Sequence, residues 1–487
     1  MTAARALSII PRMTDAYDRI AYPGSAFPDT HPDRLATIGQ LLGMRTAAPD
    51  ACRVLELGCG DGMNLLPLAW AFPHSTFVGI DRAVAPIERG RRRAEALGLR
   101  NLRLEQADIL EIGPELGAFD YIVAQGVFSW VPEPVRQAVL RISRQNLAPQ
   151  GIAFISYLAL PGSHLRSVFR DMMRFHVRGI PDPEEQVRQA RAVVQLIADA
   201  PSGNAHQEFA RSLLDELQRA DDGVIFHDLL AEINATFHFV QFIDLAVRAG
   251  LQFLSEAEYE AGFYHLGEEH ASVVEALRRL EGDVLAREQY LDFLRCRRFR
   301  QTLLVHADVS LTRPVSPDRM DALHAAGAAV RRDEHTFEFS EGGRKGEMSV
   351  PGLAEARVLE RLGAAWPGTI PVRELVRDGD ASKRFLLLGY ERGLIELWTL
   401  PSRCVPPSDR PTASPVARLQ AAEGIYVATL KHRVVQLNDS LGRELITLLD
   451  GTRDRASLLD ALGDRQMDAE SLEEHLREIE GHALLCA

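Results

Sequence analysis

The stretch from Arg53 to Asp81, RVLELGCGDGMNLLPLAWAFPHSTFVGID, constrains the fold more than any other part of the chain. Val54, Leu55 and Leu57 are apolar and β-prone, which predicts a buried strand over Arg53–Leu57. Gly58, Gly60 and Gly62 follow, separated by Cys59 and Asp61, and make a turn whose backbone can approach a ligand closely. Asn64, Leu65, Leu66, Leu68, Ala69 and Trp70 then read as a helix, and a second apolar run over 76–80 ends in Asp81. Strand, glycine turn, helix, strand and terminal acid together are half of a nucleotide-binding α/β unit. In such a unit a carboxylate at the second strand tip accepts hydrogen bonds from ribose hydroxyls. Asp81 lies about 20 residues past the turn, where that role requires it.

Composition narrows the class. The chain has 487 residues, enough for several domains. Its five cysteines contain no C-x-x-C pair, so neither a disulfide framework nor a zinc site is indicated. No run approaches the ~20 apolar residues of a membrane span, and the N-terminal stretch lacks a long apolar core. A cytoplasmic protein with no membrane or metal requirement is expected. A net charge of −13 sets the overall field against nucleic acid and favours basic partners. The only lysines are Lys345, Lys383 and Lys431. Either coding is biased toward arginine, or a lysine-modifying enzyme keeps its catalytic half free of targets.

Tyr17, Asp18, Tyr22, Pro23 and Phe27 stand in an irregular stretch before a helix at about 32–43; they either fold over a ligand or seal the sheet edge. After Asp81 come a helix over 86–97, closed by Gly98, and a strand over 102–105 that leads to Asp108. Asp108 either accepts a hydrogen bond from an adenine amino group or caps a helix. Phe119–Ala124 reads as a fourth strand, and its outgoing loop aims Gln125 and Trp130 at a pocket, with Trp130 as plain core the competing reading. A helix over 134–147 and a fifth strand over 152–158 follow, with Tyr157 near the strand tip. Helices are then expected from 163 and over 183–200, 206–220 and 239–249, with P-D-P and P-S-G-N breaks. Segments 251–253 and 300–306 read as strands six and seven, an antiparallel pair closing the sheet near 312. The helical insertion at about 160–250 would then lie over the site as lid, acceptor pocket or dimer contact. Beyond a Pro-rich boundary, 313–400 reads as a winged-helix-like module, 401–418 as a linker and 419–487 as a second small module.

The glycine spacing is E-x-G-x-G-x-G, with Glu56 inside the strand end, and not the dinucleotide pattern G-x-G-x-x-G. It resembles the first motif of class I S-adenosylmethionine (SAM) methyltransferases. Over most of its length the chain resembles bacterial protein-lysine methyltransferases that carry a methyltransferase regulatory region and a winged-helix C-terminus. The resemblance rests on VLELGCGDGMNLLPLA (54–69), FVGID (77–81) and FDYIVAQGVFSWVPEPVR (119–136). It continues in ISYLALPGSHLRSVFRDMM (155–173), FHDLLAEINATFHFVQF (226–242) and REQYLDFLRCRRFRQTLL (287–304). Two positions depart from it: Gln125 replaces a frequent histidine in H-G-V-x-S-W-V-P, and Ser163 replaces a frequent tryptophan after P-G.

This resemblance implies an α/β fold: a Rossmann-like class I methyltransferase sheet of seven strands with a helical insertion within 1–312, then α+β winged-helix-like modules. It implies SAM as cofactor, S-adenosylhomocysteine as product, a protein or peptide acceptor and a possible homodimer. The expected cofactor contacts are Glu56, Gly58, Cys59, Gly60, Gly62, Asn64, Asp81, Arg82, Asp108, Ile109, Gln125 and Gly126. Turn N–H groups would face the methionyl carboxylate at a helix N-terminus. Glu56 would orient the turn or the methionyl ammonium, Asp81 the ribose and Asp108 the adenine. A lysine acceptor must lose a proton before attack; an aromatic pocket lowers its pKa by desolvation and attracts the methylated cation. Tyr17, Tyr22, Phe128, Trp130 and Tyr157 are the expected walls, and His164 the one nearby base. A small-molecule N- or O-methyltransferase and a SAM-binding regulator without turnover are the alternatives.

Overall fold

The computed structural model describes residues 20–201, 203–259, 270–341, 344–376, 380–463 and 467–486. Its centre is a sheet made by β1 (Arg53–Leu57), β2 (Thr76–Asp81), β3 (Leu102–Gln106), β4 (Phe119–Ala124) and β5 (Leu147–Ala159), all parallel. Successive residues of β1 serve opposite cores. Val54 packs with Leu35, Phe77 and Tyr121 on one face, and Leu55 with Val78, Ile122 and Phe242 on the other. Burial on both faces is why these strands read as nearly continuous apolar runs. The helices α1 (Pro32–Leu41), α2 (Leu65–Ala71), α3 (Val84–Ala96) and α4 (Glu133–Gln145) cover the sheet.

A short β6 (Thr236–Phe237) pairs with β5 beyond the main strand path; two residues carry no periodic signal, and it was not expected. The helix α8 (Phe239–Arg248) leads to β7 (Leu251–Glu256), and β8 (Phe299–His306) inserts between β5 and β7, antiparallel to both. The order is thus β3-β2-β1-β4-β5-β8-β7, with its reversal between β1 and β4. Arg300 of β8 is fully buried. Its guanidinium lies 2.7 Å from Glu256, 3.2 Å from Glu288 and 2.8 Å from Asp292, which ties β7 and β8 to α10 (Val284–Arg295).

The helical insertion comprises α5 (Gly162–Val177), α6 (Pro183–Ala198) and α7 (Ala205–Arg219). Asp182 and Asn204 cap α6 and α7 by accepting from Glu185 N and Gln207 N. Phe169 and Met173 join Val187, Val194, Leu213 and Leu217 in a separate core, whereas Leu165 and Val168 of the same helix are exposed. Of the helices past β7, α9 (Ala271–Arg278) precedes α10.

The next unit pairs β9 (His324–Ala326) with β13 (Ile370–Pro371) and β14 (Glu396–Trp398) and adds the sheet β10 (Ala329–Arg331), β11 (Thr336–Glu341), β12 (Arg344–Ser349). Its helices are α11 (Leu353–Ala365), α12 (Val372–Leu375) and α13 (Asp380–Glu391). The last unit has α14 (Pro415–Glu423), the hairpin β15 (Tyr426–Ala428) and β16 (Val434–Gln436), and α15 (Ser440–Leu448), α16 (Arg455–Leu462) and α17 (Ala469–Gly481). Here the expected linker over 401–418 needs correction. Ala413 bridges Leu485, Ser414 caps α14, and Ala413 and Ala417 sit in the last unit's core. Proline and arginine content masks a bridge and a helix start that only tertiary packing reveals.

Candidate active site

A cavity of about 270 Å³ opens beyond the carboxyl ends of β1 to β4, across the point where strand order reverses. Open α/β sheets bind ligands there because outgoing loops diverge on either side of it. Asp81, at the tip of β2, accepts from Gly60 N and Ala83 N at 2.8 Å each. Burial raises its pKa and those two hydrogen bonds oppose the rise. Gly60 and Gly126 have φ of +55° and +68°, and a Cβ at either would meet nothing within 4 Å, so both leave open space at the wall. Gly62 differs. It does not line the cavity, and a Cβ there would press Leu104 at 2.9 Å, so it serves packing. Four of the turn's N–H groups are taken up within the chain. Gly58 N and Cys59 N donate to Ile80 O, Gly60 N to Asp81 and Gly62 N to Cys59 O.

Glu56 is buried at the end of β1. Asn64 Nδ2 donates to its Oε1 at 2.9 Å, and Oε2 has no hydrogen-bond partner among the described residues. Burial pushes the Glu56 carboxyl up to about 8 against the Asn64 hydrogen bond. Asn64 is held in turn. Its Oδ1 accepts from Phe27 N at 2.9 Å and from His432 Nε2 at 2.8 Å. His432 belongs to the last unit, at a left-handed position (φ +59°) between β15 and β16. Burial, aided by the His31 ring, keeps it neutral, so Nε2 carries the proton it donates. The same unit reaches the glycine turn twice more: Arg93 pairs with both Asp61 (2.6 Å) and Glu423 (2.9 Å), and Gln420 Nε2 lies 3.8 Å from Met63 Sδ.

On the other side the cavity is walled by Tyr22, Trp130 and Asp228. Tyr22 Oη donates to Asp228 Oδ2 at 3.4 Å, and Trp130 Nε1 to Asp228 O at 3.4 Å. Burial pushes the Asp228 carboxyl up to about 6, opposed by the Arg166 charge and the Tyr22 hydrogen bond. Asp228 comes from the turn Ile225–Leu229 that closes the helical insertion.

Of the expected residues, the structure brings Glu56, Gly58, Cys59, Gly60, Asn64, Asp81, Arg82, Asp108, Ile109, Gln125 and Gly126 to this cavity, with Tyr22 and Trp130. Asp108 also caps Ile109–Glu111 by accepting from Leu110 N, which is the capping reading. Gln125 Oε1 is buried without a hydrogen-bond partner among the described residues. Tyr17 lies outside the described residues. Tyr157 and Phe128 are corrected: both are fully buried, with Tyr157 stacked on Phe242 at 4.0 Å and Phe128 edge-on to it. Side chains alternate along β5, and it is Ser156 that faces the site, accepting from Gly126 N. His164 is exposed on the first turn of α5 and does not line the cavity, so it is not the nearby base. Ser163 is buried off the cavity, bonded to Arg298 O. Two residues were missed. Asp228 lies within the 226–242 block, where its acid was the available signal; nothing local marks His432.

Three family models match successive parts of the chain: "Methyltransferase domain" over 49–208, "Predicted methyltransferase regulatory domain" over 221–306, and "PKMT, C-terminal winged helix domain" over 409–481. The uncharacterized protein RP789 of Rickettsia prowazekii is 27% identical over 478 residues, covering 92% of this chain and 85% of that protein. The uncharacterized protein RP028 of the same organism is 34% identical over 241 residues, covering 49% of this chain and 96% of that protein. The solved structure of PKMT2 from Rickettsia typhi superposes with a TM-score of 0.83 at 24% identity, covering 96% of this chain and all of that one. Its complex with AdoHcy gives 0.80. The shared fold therefore extends through every unit described above.

Proposed function

Since the chain belongs to the family of SAM-dependent methyltransferases that join a methyltransferase domain, a regulatory domain and a PKMT-type C-terminal winged helix, we propose that it transfers the methyl group of SAM to a lysine amine of a protein acceptor. The residues of the first cavity suit that donor. Asp81 stands at the ribose position of a nucleotide-binding unit, with Gly60 and Gly126 leaving room beside it. The unpartnered Glu56 oxygen matches the methionyl ammonium, and Asp108 the adenine amino group. Bound there, SAM supplies a methyl group already activated on a sulfonium.

The observation that carries the lysine reading is one half-buried carboxylate, Asp228, set between the aromatic walls Tyr22 and Trp130. A lysine entering between those walls loses part of its hydration, which lowers the pKa of its ammonium. Their faces hold the cation, including its methylated forms. Asp228 is ionised above about pH 6 and accepts a hydrogen bond from the lysine nitrogen, taking the proton that must leave before the nitrogen attacks. The N–C bond then forms as the S–C bond breaks. Tyr22 and the Trp130 indole fix Asp228 by donating to its side chain and its backbone carbonyl. We read the expected homodimer and cytoplasmic location as consistent with this function.

The test is methyl-labelled SAM with an extract of lysine-bearing proteins, comparing wild type with Asp228→Asn. Label should appear on lysines of discrete proteins. Asp228→Asn should bind SAM with unchanged affinity and transfer about 100-fold more slowly, in the range typical of a lost general base. Label confined to small molecules, or transfer by Asp228→Asn at the wild-type rate, overturns the reading.

A further inference from the structure

A second cavity, of about 290 Å³, lies where the methyltransferase sheet meets both C-terminal units. Five cationic side chains line it: Arg34, Lys345, Arg392, Lys431 and Arg433. Against them stand two carboxylates, Glu258 and Glu396. Two of the chain's three lysines are therefore here, in a protein whose net charge is −13. Such a local inversion of sign focuses a positive field inside the cavity.

Ion pairing engages part of this charge, and Arg392 and Arg433 have further partners. Glu396 is engaged twice, by Lys431 Nζ at 2.7 Å and Arg433 Nη2 at 2.9 Å. Arg34 pairs with Asp29 at 3.2 Å. Lys345 has no ion-pair partner among the described residues. A second observation points the same way. Tyr390 is buried at the cavity wall, and its hydroxyl has no hydrogen-bond partner among the described residues. The Tyr390 ring stacks on Tyr259, 5.5 Å away, which fixes its position. Two cations on one carboxylate, the Lys345 ammonium, a spare hydroxyl donor and a volume near the lower limit of small-ligand sites suit phosphate oxygens, which arginine forks and lysine both recognise.

We propose that this cavity binds a small, multiply charged phosphorylated molecule that bridges the methyltransferase sheet and the C-terminal units. Its place links it to methyl transfer. Lys431 and Arg433 flank His432, which holds Asn64 and through it Glu56. Pro28 of this cavity adjoins Phe27 of the first. A bound anion would hold the His432 turn against the SAM side, whatever the methyl acceptor is.

Calorimetric titration of the full chain with inorganic pyrophosphate tests this. One site is expected, weakening as salt is raised. The exposed single variant Lys345→Gln should bind about ten-fold more weakly, a difference of about 1.4 kcal/mol, while its urea unfolding midpoint stays near wild type. Lys345→Arg, which keeps the charge, should retain most of the binding. Tyr390→Phe, which removes only the hydroxyl, should weaken binding less. No pyrophosphate binding at low salt, or equal binding by wild type and Lys345→Gln, overturns the proposal.

Discussion

Glu56→Gln should move stability and cofactor binding in opposite directions. The Glu56 carboxyl rises from its ordinary 4.5 to about 8, chiefly by burial. Below pH 4.5 it is protonated whether the chain is folded or not, and nothing is lost. Between about 4.5 and 8 the folded chain keeps a proton that the unfolded chain releases, so stability falls as pH rises and levels off above about 8. At pH 7 the loss amounts to about 3 kcal/mol. Glutamine keeps the shape and the oxygen that receives Asn64 Nδ2, and it does not titrate. The variant should therefore lack this downward slope and be the more stable protein at pH 7 to 8. It also lacks the anion proposed for the methionyl ammonium, and a charge-assisted hydrogen bond is worth about 1.5–3 kcal/mol, or roughly 10- to 100-fold in affinity. Urea unfolding followed by tryptophan fluorescence at pH 5, 7 and 8 without SAM reads the first effect, and calorimetry with SAM reads the second. Parallel stability curves for the two proteins over this range, or unchanged SAM affinity, would refute the reasoning.

Other consequences are as direct. His432→Ala removes a hydrogen bond to the buried Asn64 amide and should weaken SAM binding by roughly 1–2 kcal/mol in a calorimetric titration. Asp81→Ala frees Gly60 N and Ala83 N and removes the proposed ribose acceptor; SAM binding should be lost while the circular dichroism spectrum keeps its shape. Arg300→Met leaves Glu256, Glu288 and Asp292 facing one another in the core, and should lower stability by about 3–5 kcal/mol in urea at pH 7. The pH–rate profile of methyl transfer should rise through about pH 6 as Asp228 ionises, and Asp228→Asn should lose that limb.

Local chemistry made much of the fold legible. The Arg53–Asp81 unit, the later parallel strands and the closing pair announce themselves through apolar runs, glycines and turn residues. The same applies to the cofactor side, because strand tips in an ordered sheet must converge. What escaped depends on direction and distance. Tyr157 and Ser156 are neighbours on one strand, and the pleat alone decides which of them faces Gly126. Gly62 looks like its companions until Leu104 is seen beside it. His432 lies 368 residues from the Asn64 it holds, a separation across which no sequence pattern extends. The 413–418 segment has a linker's composition but packs because the chain returns to pair Ala413 with Leu485.

Peptide mass mapping of a methylated protein tests whether lysine is the methyl acceptor. The full chain, SAM and a lysine-bearing protein substrate from the extract would be incubated, digested and sequenced by fragmentation. One or more methyl groups are expected on lysine Nζ, absent with Asp81→Ala and strongly reduced with Asp228→Asn. Methyl groups found only on other side chains, or on no protein while small molecules take up the label, would contradict it.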